Sequence, residues 1–411
     1  MLTAMHSYAA LLGNNPSIST AELSALLPDL QDQHLYPNQF LTFSTDRELD
    51  QAFLNRLGGT ILLAKRIVAD SAVTLADLPT MLATELTGVK GKAVFSLRFV
   101  GVPPREGHEL FRACKKGLKA RNMPSRYIGS EKDAAKPIQL HDEGALDPKH
   151  GCELLVIREK DTLWIGRTVG AQDVKAYTER DIGKPVRDTT VGLLPPKLAQ
   201  ILLNFAQSML PESPKGKRGK ITVFDPFCGT GVIPMEALMR GADVLASDIS
   251  VKAVNGTEKN LEWARKTYKI AKKDVSSTVW KQDACKPFDL AKTMPDMIAT
   301  EGTLGPALSD RPAVKDIEKF LRDADELTAK FLKNCAATLP GVPVVMTVPV
   351  WYAQKKMVPL KKLAESITDA GFRTILPPHV NGWLPDRLSL LYRRADQFVG
   401  REILILKPVK K

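Results

Sequence analysis

Apolar runs alternate with charged and turn-forming segments along the chain, in three zones of different rhythm. Residues 5–12 are apolar enough for a strand. In NNPSISTAEL, which follows, Ser19 and Glu22 stand three apart before an apolar run, a capping-box pattern that predicts a short helix. Residues 38–45 and 58–69 are further strand and helix candidates, so 1–70 reads as a small α+β module. Across 71–170, DLPTMLATEL predicts a helix, KAVFSLRFVG a strand and REGHELFRACKKGLKARN a basic helix. CELLVIRE and TLWIGRTV then predict the two strands of a hairpin, completing a second α+β domain.

Residues 171–192 mix charge, Gly and Pro without a clear period and read as a connector that packs on its neighbours. The last domain is placed at 193–411. It opens with a helix, LAQILLNFAQSML, and a polar basic loop, PESPKGKRGK at 211–220. Strands are expected at 221–225, 243–247, 276–280, 295–300, 342–349, 387–393 and 401–407, with helices at 231–240, 250–267, 313–337 and 353–369. Repeated β–α alternation predicts a largely parallel, three-layer α/β sheet. Only ADQFVG separates LSLLYRR from REILILK, so the last two strands should form an antiparallel hairpin.

Composition narrows the class. The 411 residues are 44% hydrophobic and 25% charged, which suits an ordinary soluble chain of two or three domains. The five cysteines form no CxxC, and the six histidines form no HExxH or compact cluster, so neither a disulfide framework nor a metal site is expected. A reducing, cytoplasmic setting fits. No apolar run reaches about 18 residues, and the amino terminus lacks the basic start of a signal peptide. The formal charge of +12 favours a polyanionic partner. Arg112, Lys115 and Lys119 share a face of the basic helix, which also carries Lys116 and Arg121, with Arg126 just beyond. This face is the candidate phosphate-backbone surface, against the plainer reading of a solvated helix.

The candidate chemistry lies in Val223–Val232, VFDPFCGTGV. Gly231 is followed by Val232 and Ile233, so the lysine of a Walker A turn is missing. Pro234 stands where a dinucleotide fingerprint needs its third glycine. Asp248 ends the second expected strand and Asp283 follows the third. Ligands of open α/β sheets bind outside the carboxyl ends of the strands. There Asp248 is placed to accept two ribose hydroxyls and Asp283 to reach an adenine amino group. One glycine turn (Gly229, Gly231) and two acids suit an adenosine-bearing cofactor without a pyrophosphate, and S-adenosylmethionine fits. Asp225 then stands near its methionine end, able to balance a sulfonium or ammonium charge.

DPFCGTG resembles the cofactor motif of class I methyltransferases that modify RNA bases, particularly those with an amino-terminal THUMP domain. RDIGKPVRD at 180–188 and GLLPPKLAQILLNFA at 192–206 resemble the segment before the catalytic domain in Trm11-like tRNA guanine-N2-methyltransferases. LLGNNPSISTAEL resembles that family's start and YRRADQFVGREILIL its last hairpin, so the likeness covers nearly the whole chain. It implies a ferredoxin-like module over 1–70, a THUMP RNA-binding domain over 71–170 and a Rossmann-like methyltransferase domain over 193–411. It assigns Phe227, Thr230, Ile249 and Ala284 to the cofactor beside Asp225, Gly229, Gly231, Asp248 and Asp283. It also implies tRNA as partner and transfer of a methyl group to the exocyclic N2 of a guanosine, as at position 10. No feature demands a dimer.

After the fourth strand, amino-group methyltransferases usually carry Asn or Asp, two prolines and an aromatic residue. Glu301 stands here at the acidic position, Gly302 and Thr303 replace the prolines, and Leu304 replaces the aromatic. A glutamate-led version of this loop is familiar in the Trm11-like group. Glu301, Gly302 and Leu304 are therefore the candidate catalytic residues. Glu301 is placed to accept a hydrogen bond from N2–H or N1–H, and Leu304 offers apolar cover without π-stacking. Trp351 and Tyr352, after the fifth strand, are candidates for the missing stack, although core packing is the simpler reading. A DNA or rRNA amino-methyltransferase, and a catalytically weak tRNA-binding protein that keeps the cofactor, remain as alternatives.

Overall fold

The computed structural model describes residues 5–409 apart from 69–72, 131–132, 161, 189–192, 212–219, 291–292, 307, 309, 311, 354–355 and 395–396. Most of the basic loop expected at 211–220 lies outside the described residues, as does the expected boundary at 70. The chain divides into two compact units, Met1–Pro16 with Leu27–Ala176, and Ser17–Leu26 with Tyr177–Lys411.

The first unit is built on one eight-stranded sheet. Its strands are β1 (His6–Leu12), β2 (Gln31–Leu35), β3 (Phe40–Thr45), β4 (Thr60–Arg66), β5 (Ala93–Val100), β6 (Ser125–Tyr127), β7 (Gly151–Glu159) and β8 (Thr162–Ala171). They run in the order β2-β3-β1-β4-β8-β7-β5-β6. The expected hairpin is present, β7 and β8 pairing antiparallel from Leu154↔Arg167 to Glu159↔Thr162. The strands expected in 1–70 and those expected in 71–170 share this sheet, because β4 pairs antiparallel with β8 from Leu62↔Ala171 to Arg66↔Gly166. The pairing leaves neither strand with an open edge at that join. β5 and β7 are parallel, and their residues are mostly buried on both faces, which explains their continuous apolar runs. Glu153 of β7 is fully buried and takes hydrogen bonds from Arg98 Nε and Nη2, each 3.1 Å, and from Thr168 Oγ1 at 2.9 Å.

Helix α1 (Pro16–Leu26) begins three residues before the expected cap, with Pro16 opening its first turn, so Ser19 and Glu22 lie inside it. From Ser17 onward it belongs to the second unit, where Ile18 and Ala21 join the core. Glu22, fully buried, accepts a hydrogen bond from Asn204 Nδ2 at 2.6 Å. The helices of the first unit are α2 (Gln51–Leu54), α3 (Leu78–Glu85), α4 (Pro104–Ala120) and α5 (Pro137–Asp142). Helix α4 buries Gly107, Cys114 and Leu118 and turns its cations outward. α6 (Val174–Thr178) leads from the first unit to the second.

The second unit alternates as expected: α7 (Pro196–Ser208), β9 (Thr222–Asp225), α8 (Val232–Met239), β10 (Asp243–Asp248), α9 (Val251–Thr267), β11 (Ser277–Lys281), β12 (Met297–Glu301), α10 (Val314–Thr338) and β13 (Val344–Ala353). Then come β14 (Lys356–Val358), α11 (Leu363–Asp369), β15 (Phe372–Thr374), β16 (Leu390–Tyr392) and β17 (Val399–Pro408). The sheet order is β11-β10-β9-β12-β13-β17-β15, with β14 on β13 and β16 on β17. β9 to β13 are parallel, whereas β17 is antiparallel to both β13 and β15. Successive strand residues feed opposite layers. Val223 and Val345 join one core with α7 and α8, while Phe224 and Val344 join another with α10 and α11.

The end of the chain bears out the expected antiparallel pair, β16 lying on β17. The helix expected at 353–369 is corrected. Its first part is β14, paired with β13 from Trp351↔Val358 to Ala353↔Lys356, and only 363–369 is α-helical. Pro359 cannot continue a helix. Instead, Asp325 of α10 accepts hydrogen bonds from the Lys361 and Lys362 amides, at 3.1 and 3.2 Å, just before α11 begins.

Candidate active site

The turn after β9 is held from three sides. Gly229 and Gly231 take φ of +52° and +81°, a region open mainly to glycine. A Cβ on Gly231 would also stand 2.8 Å from Thr257 Cγ2 of α9. Thr257 Oγ1 donates to Gly229 O at 2.9 Å. Asn260, one turn later, donates to Thr230 O at 2.7 Å and to Val186 O at 2.9 Å, and its Oδ1 accepts from the Val186 amide at 2.9 Å. It thereby ties the RDIGKPVRD segment to the glycine turn. Asp248, at the carboxyl end of β10, accepts from the Gly229 amide on Oδ2 at 3.0 Å and from the Ser250 amide on Oδ1 at 2.9 Å. Each oxygen keeps acceptor capacity.

Asp225 ends β9 almost fully buried. Thr300 Oγ1 and the Phe227 amide, at 2.6 and 3.2 Å, both donate to its Oδ1. Burial pushes its carboxyl up to about 7, with the charges of Asp248 and Glu301 adding to the shift. A cationic ligand beside it would restore its charge.

Glu301, at the end of β12, has a different environment. Arg401 of β17 forks onto it, Nε to Oε2 at 2.5 Å and Nη2 to Oε1 at 3.2 Å. Thr347 Oγ1 of β13 donates to Oε2 at 3.2 Å. The backbone hydrogen bond from Gly302 N to Thr347 O, 3.1 Å, starts the loop, and the Gly305 amide bonds Thr303 Oγ1 at 3.2 Å.

The two carboxylates meet in one cleft of about 170 Å³. Asp225, Phe227, Gly229 and Thr230 line it from the turn, Glu301, Gly302 and Leu304 from the loop, and Leu193 and Leu194 from the start of the last domain, just ahead of α7. Asp248, Ile249, Asp283 and Ala284 are not part of this lining. Asp248 is connected to it through Gly229. Ile249 is 66% exposed beside Asp248, an apolar side chain left facing solvent. Asp283 accepts from the Cys285 amide at 2.9 Å, and Asn334 of α10 fixes the same turn through Ala284 O and Lys286 O, at 2.9 and 2.7 Å. Trp351 is 1% exposed and lies beneath the loop, its Cζ2 3.0 Å from a Cβ built on Gly305, so it belongs to the core.

Two features escaped sequence reasoning. One is Arg401, whose partner is 100 residues away. The other is the connector's buried ion pair. Arg180 Nε donates to Glu236 Oε1 of α8 at 2.7 Å, Gln200 Nε2 donates to Glu236 Oε2 at 2.9 Å, and Arg180 stacks 4.4 Å from the Tyr177 ring centroid. The RD and KP of RDIGKPVRD signal charge, not burial, so the sequence carried no cue for this pair.

In the first unit, Arg112, Lys115, Lys116 and Lys119 of α4 are exposed and form no ion pair with a described residue. Lys115, Lys116 and Lys119 border an open groove of about 630 Å³ with Asn122–Ser125. Arg121 and Arg126 are more engaged. Arg121 donates to Gly117 O and Thr80 Oγ1, each 3.1 Å, and Arg126 is ion-paired with Glu143.

No family model matches the chain. It is 31% identical over 129 residues to a probable tRNA (guanine(10)-N2)-dimethyltransferase of Methanothermococcus thermolithotrophicus, 31% of this chain and 72% of that protein. This chain belongs to the tRNA (guanine-N2)-methyltransferase family. Two further family members are tRNA (guanine(10)-N2)-dimethyltransferases. That of Methanocaldococcus jannaschii is 30% identical over 136 residues, 33% of this chain and 35% of that protein. That of Methanothermobacter thermautotrophicus is 37% identical over 71 residues, 17% of this chain and 18% of that protein. The matches thus span about a third or less of these two relatives. The crystal structure of TrmN from Thermus thermophilus aligns with 99% of the family member described here and 100% of its own chain, at a TM-score of 0.50 and 17% identity. That likeness is one of fold, a Rossmann-like sheet following an α+β domain in this chain. No described helix is long and apolar enough to cross a membrane, and no group of three potential metal ligands occurs among the described residues.

Proposed function

We propose that the protein is an S-adenosylmethionine-dependent tRNA methyltransferase acting on the exocyclic N2 of a guanosine, position 10 being the favoured site. The observation that carries this reading is the cleft, where the glycine turn and Asp225 stand against the Glu301–Gly305 loop. Family membership supplies the RNA and the amino group as the expected target.

The residues fit the cofactor. Asp248 has acceptor capacity for ribose hydroxyls, and exposed Ile249 offers an apolar face for an adenine ring. Asp283 follows β11, where the adenine amino group would be read. Buried Asp225 takes hydrogen bonds from Thr300 and the Phe227 amide, both neutral, and a sulfonium or ammonium group would balance its charge. When bound, S-adenosylmethionine supplies an electrophilic methyl group.

The rest is the work of the chain. Glu301 Oε2 already receives two donors, and Oε1 receives one. A carboxylate oxygen accepts about two hydrogen bonds, so Oε1 can take one N–H from the target. That contact holds the amino group with its nitrogen lone pair facing the methyl donor. Leu304, nearly buried in the lining, covers the base in place of an aromatic ring. A base paired in a tRNA helix would first be flipped out. The exposed lysines of α4 supply sequence-independent backbone contact. Glu301, held by Arg401 and Thr347 in the cleft lining, favours an active enzyme over a binding-only protein.

Calorimetric titration with S-adenosylmethionine and S-adenosylhomocysteine tests the cofactor assignment. Saturable binding is expected, and a folded protein that binds neither would overturn it.

A further inference from the structure

We propose that Arg401 is a positioning residue of the methyl-transfer site: its guanidinium holds Glu301 in one orientation and leaves a single acceptor position on Oε1 facing the target amino group. This rests on the functional reading above.

Arg401 is 3% exposed and fixed by its strand. It lies opposite Pro349 of β13 on one side and Tyr392 of β16 on the other. Its Nη2 also donates to Leu193 O at 3.1 Å, in the segment before α7 that lines the cleft. One side chain thus touches the end of β12, where the loop begins, and the segment before α7.

The asymmetry of the pair argues for more than stability. Glu301 lines the cleft, while Arg401 does not and stands behind it. A buried ion pair is weak evidence of stabilisation by itself, since apolar replacements are often as stable. A guanidinium behind a carboxylate does something an apolar residue cannot. Two parallel N–H donors fix the carboxylate plane. With Thr347 they fill Oε2, so only Oε1 can receive a new donor. No proline stands at the two positions after Glu301, and Gly302, Thr303 and Gly305 add few constraints of their own before Pro306. The fork from β17 supplies the missing rigidity at the residue that needs it.

The test is a double-mutant cycle in single-turnover methyl transfer, with saturating tRNA and S-adenosylmethionine. Arg401→Met should slow transfer about 100-fold, the scale of a misplaced reacting group. Arg401→Lys, a point charge without the fork, should fall between it and wild type. Cofactor affinity should stay within about twofold of wild type. In a Glu301→Ala background, Arg401→Met should change the rate by no more than about twofold, because its effect runs through Glu301. Equal slowing in both backgrounds would overturn the inference while leaving Glu301 in place. A full-rate Glu301→Ala would overturn the reading of the site and this inference with it. If Arg401→Met does not fold, Arg401→Lys carries the same cycle.

Discussion

The turn after β9 and the loop after β12 face each other across one cleft, yet they are built on opposite plans. The turn is anchored through its backbone: Asp248 holds the Gly229 amide, Thr257 holds Gly229 O, and Asn260 holds Thr230 O. The loop is anchored mainly through one side chain, Glu301, clamped by Arg401 and Thr347. Their acids differ in the same way. Asp225 takes its hydrogen bonds from neutral donors among the described residues, whereas Glu301 meets a guanidinium. The lesson is a division of labour. The turn is a preformed cradle whose buried acid suits a cation, and the loop is a lean segment that delivers one fixed acceptor.

Breaking the loop side should have the largest effect. Glu301→Ala is expected to lower the single-turnover rate by about 100- to 1000-fold, the cost of losing one preorganised contact to the reacting group. Titration calorimetry should find S-adenosylmethionine affinity near wild type. On the turn side, Asp248→Ala removes a charged acceptor and loosens the Gly229 amide. Cofactor binding should weaken by roughly 1.5–3 kcal/mol, read by the same calorimetry. If either variant damaged binding and rate equally, the two plans would collapse into one.

The third effect sharpens the contrast between the acids. Burial raises the Asp225 carboxyl to about 7, so much of it is protonated in the cofactor-free protein at neutral pH. A cationic ligand favours its ionised form and releases that proton. Cofactor affinity should therefore fall about tenfold per pH unit below 7 and level off above 8. Asp225→Asn should flatten the profile. Stability follows the linkage rule for a raised carboxyl: Asp225 favours the fold most below pH 4, and that contribution is lost as pH rises through about 7. Thermal melting of wild type against Asp225→Asn across pH 5–8 checks the sign.

The smallest effect concerns α4. Replacing Lys115 and Lys119 with Gln should make the salt dependence of tRNA affinity shallower by about 0.7–0.9 for each phosphate that the lysines no longer neutralise. Filter binding across a salt series measures it, and an unchanged slope would remove this face from the RNA surface.

Much of the second unit was legible because buried parallel strands read as continuous apolar runs, as in VVMTVPVW of β13. The glycine turn was legible because positive φ restricts residue choice at Gly229 and Gly231. What escaped lacked a local pattern. β15 has three residues, too few for a period, and β14 lies where lysines and an apolar pair resemble a helix start. Helix α1 shows the same limit from the packing side: its residues announce a helix, but not that Glu22 will meet Asn204, 182 positions on. Arg401 and Arg180 are ordinary surface residues by sequence, and only the sheet order and the folded connector bring them to Glu301 and Glu236.

One measurement bears most directly on what this cleft does. Purified protein is incubated with unmodified tRNA and methyl-labelled S-adenosylmethionine, the RNA is digested, and the nucleosides are identified by mass spectrometry. Label is expected on guanosine N2, as mono- or dimethylguanosine, and should be strongly reduced with Glu301→Ala. Label on any other nucleoside, or none from a protein that binds the cofactor, would contradict the assignment.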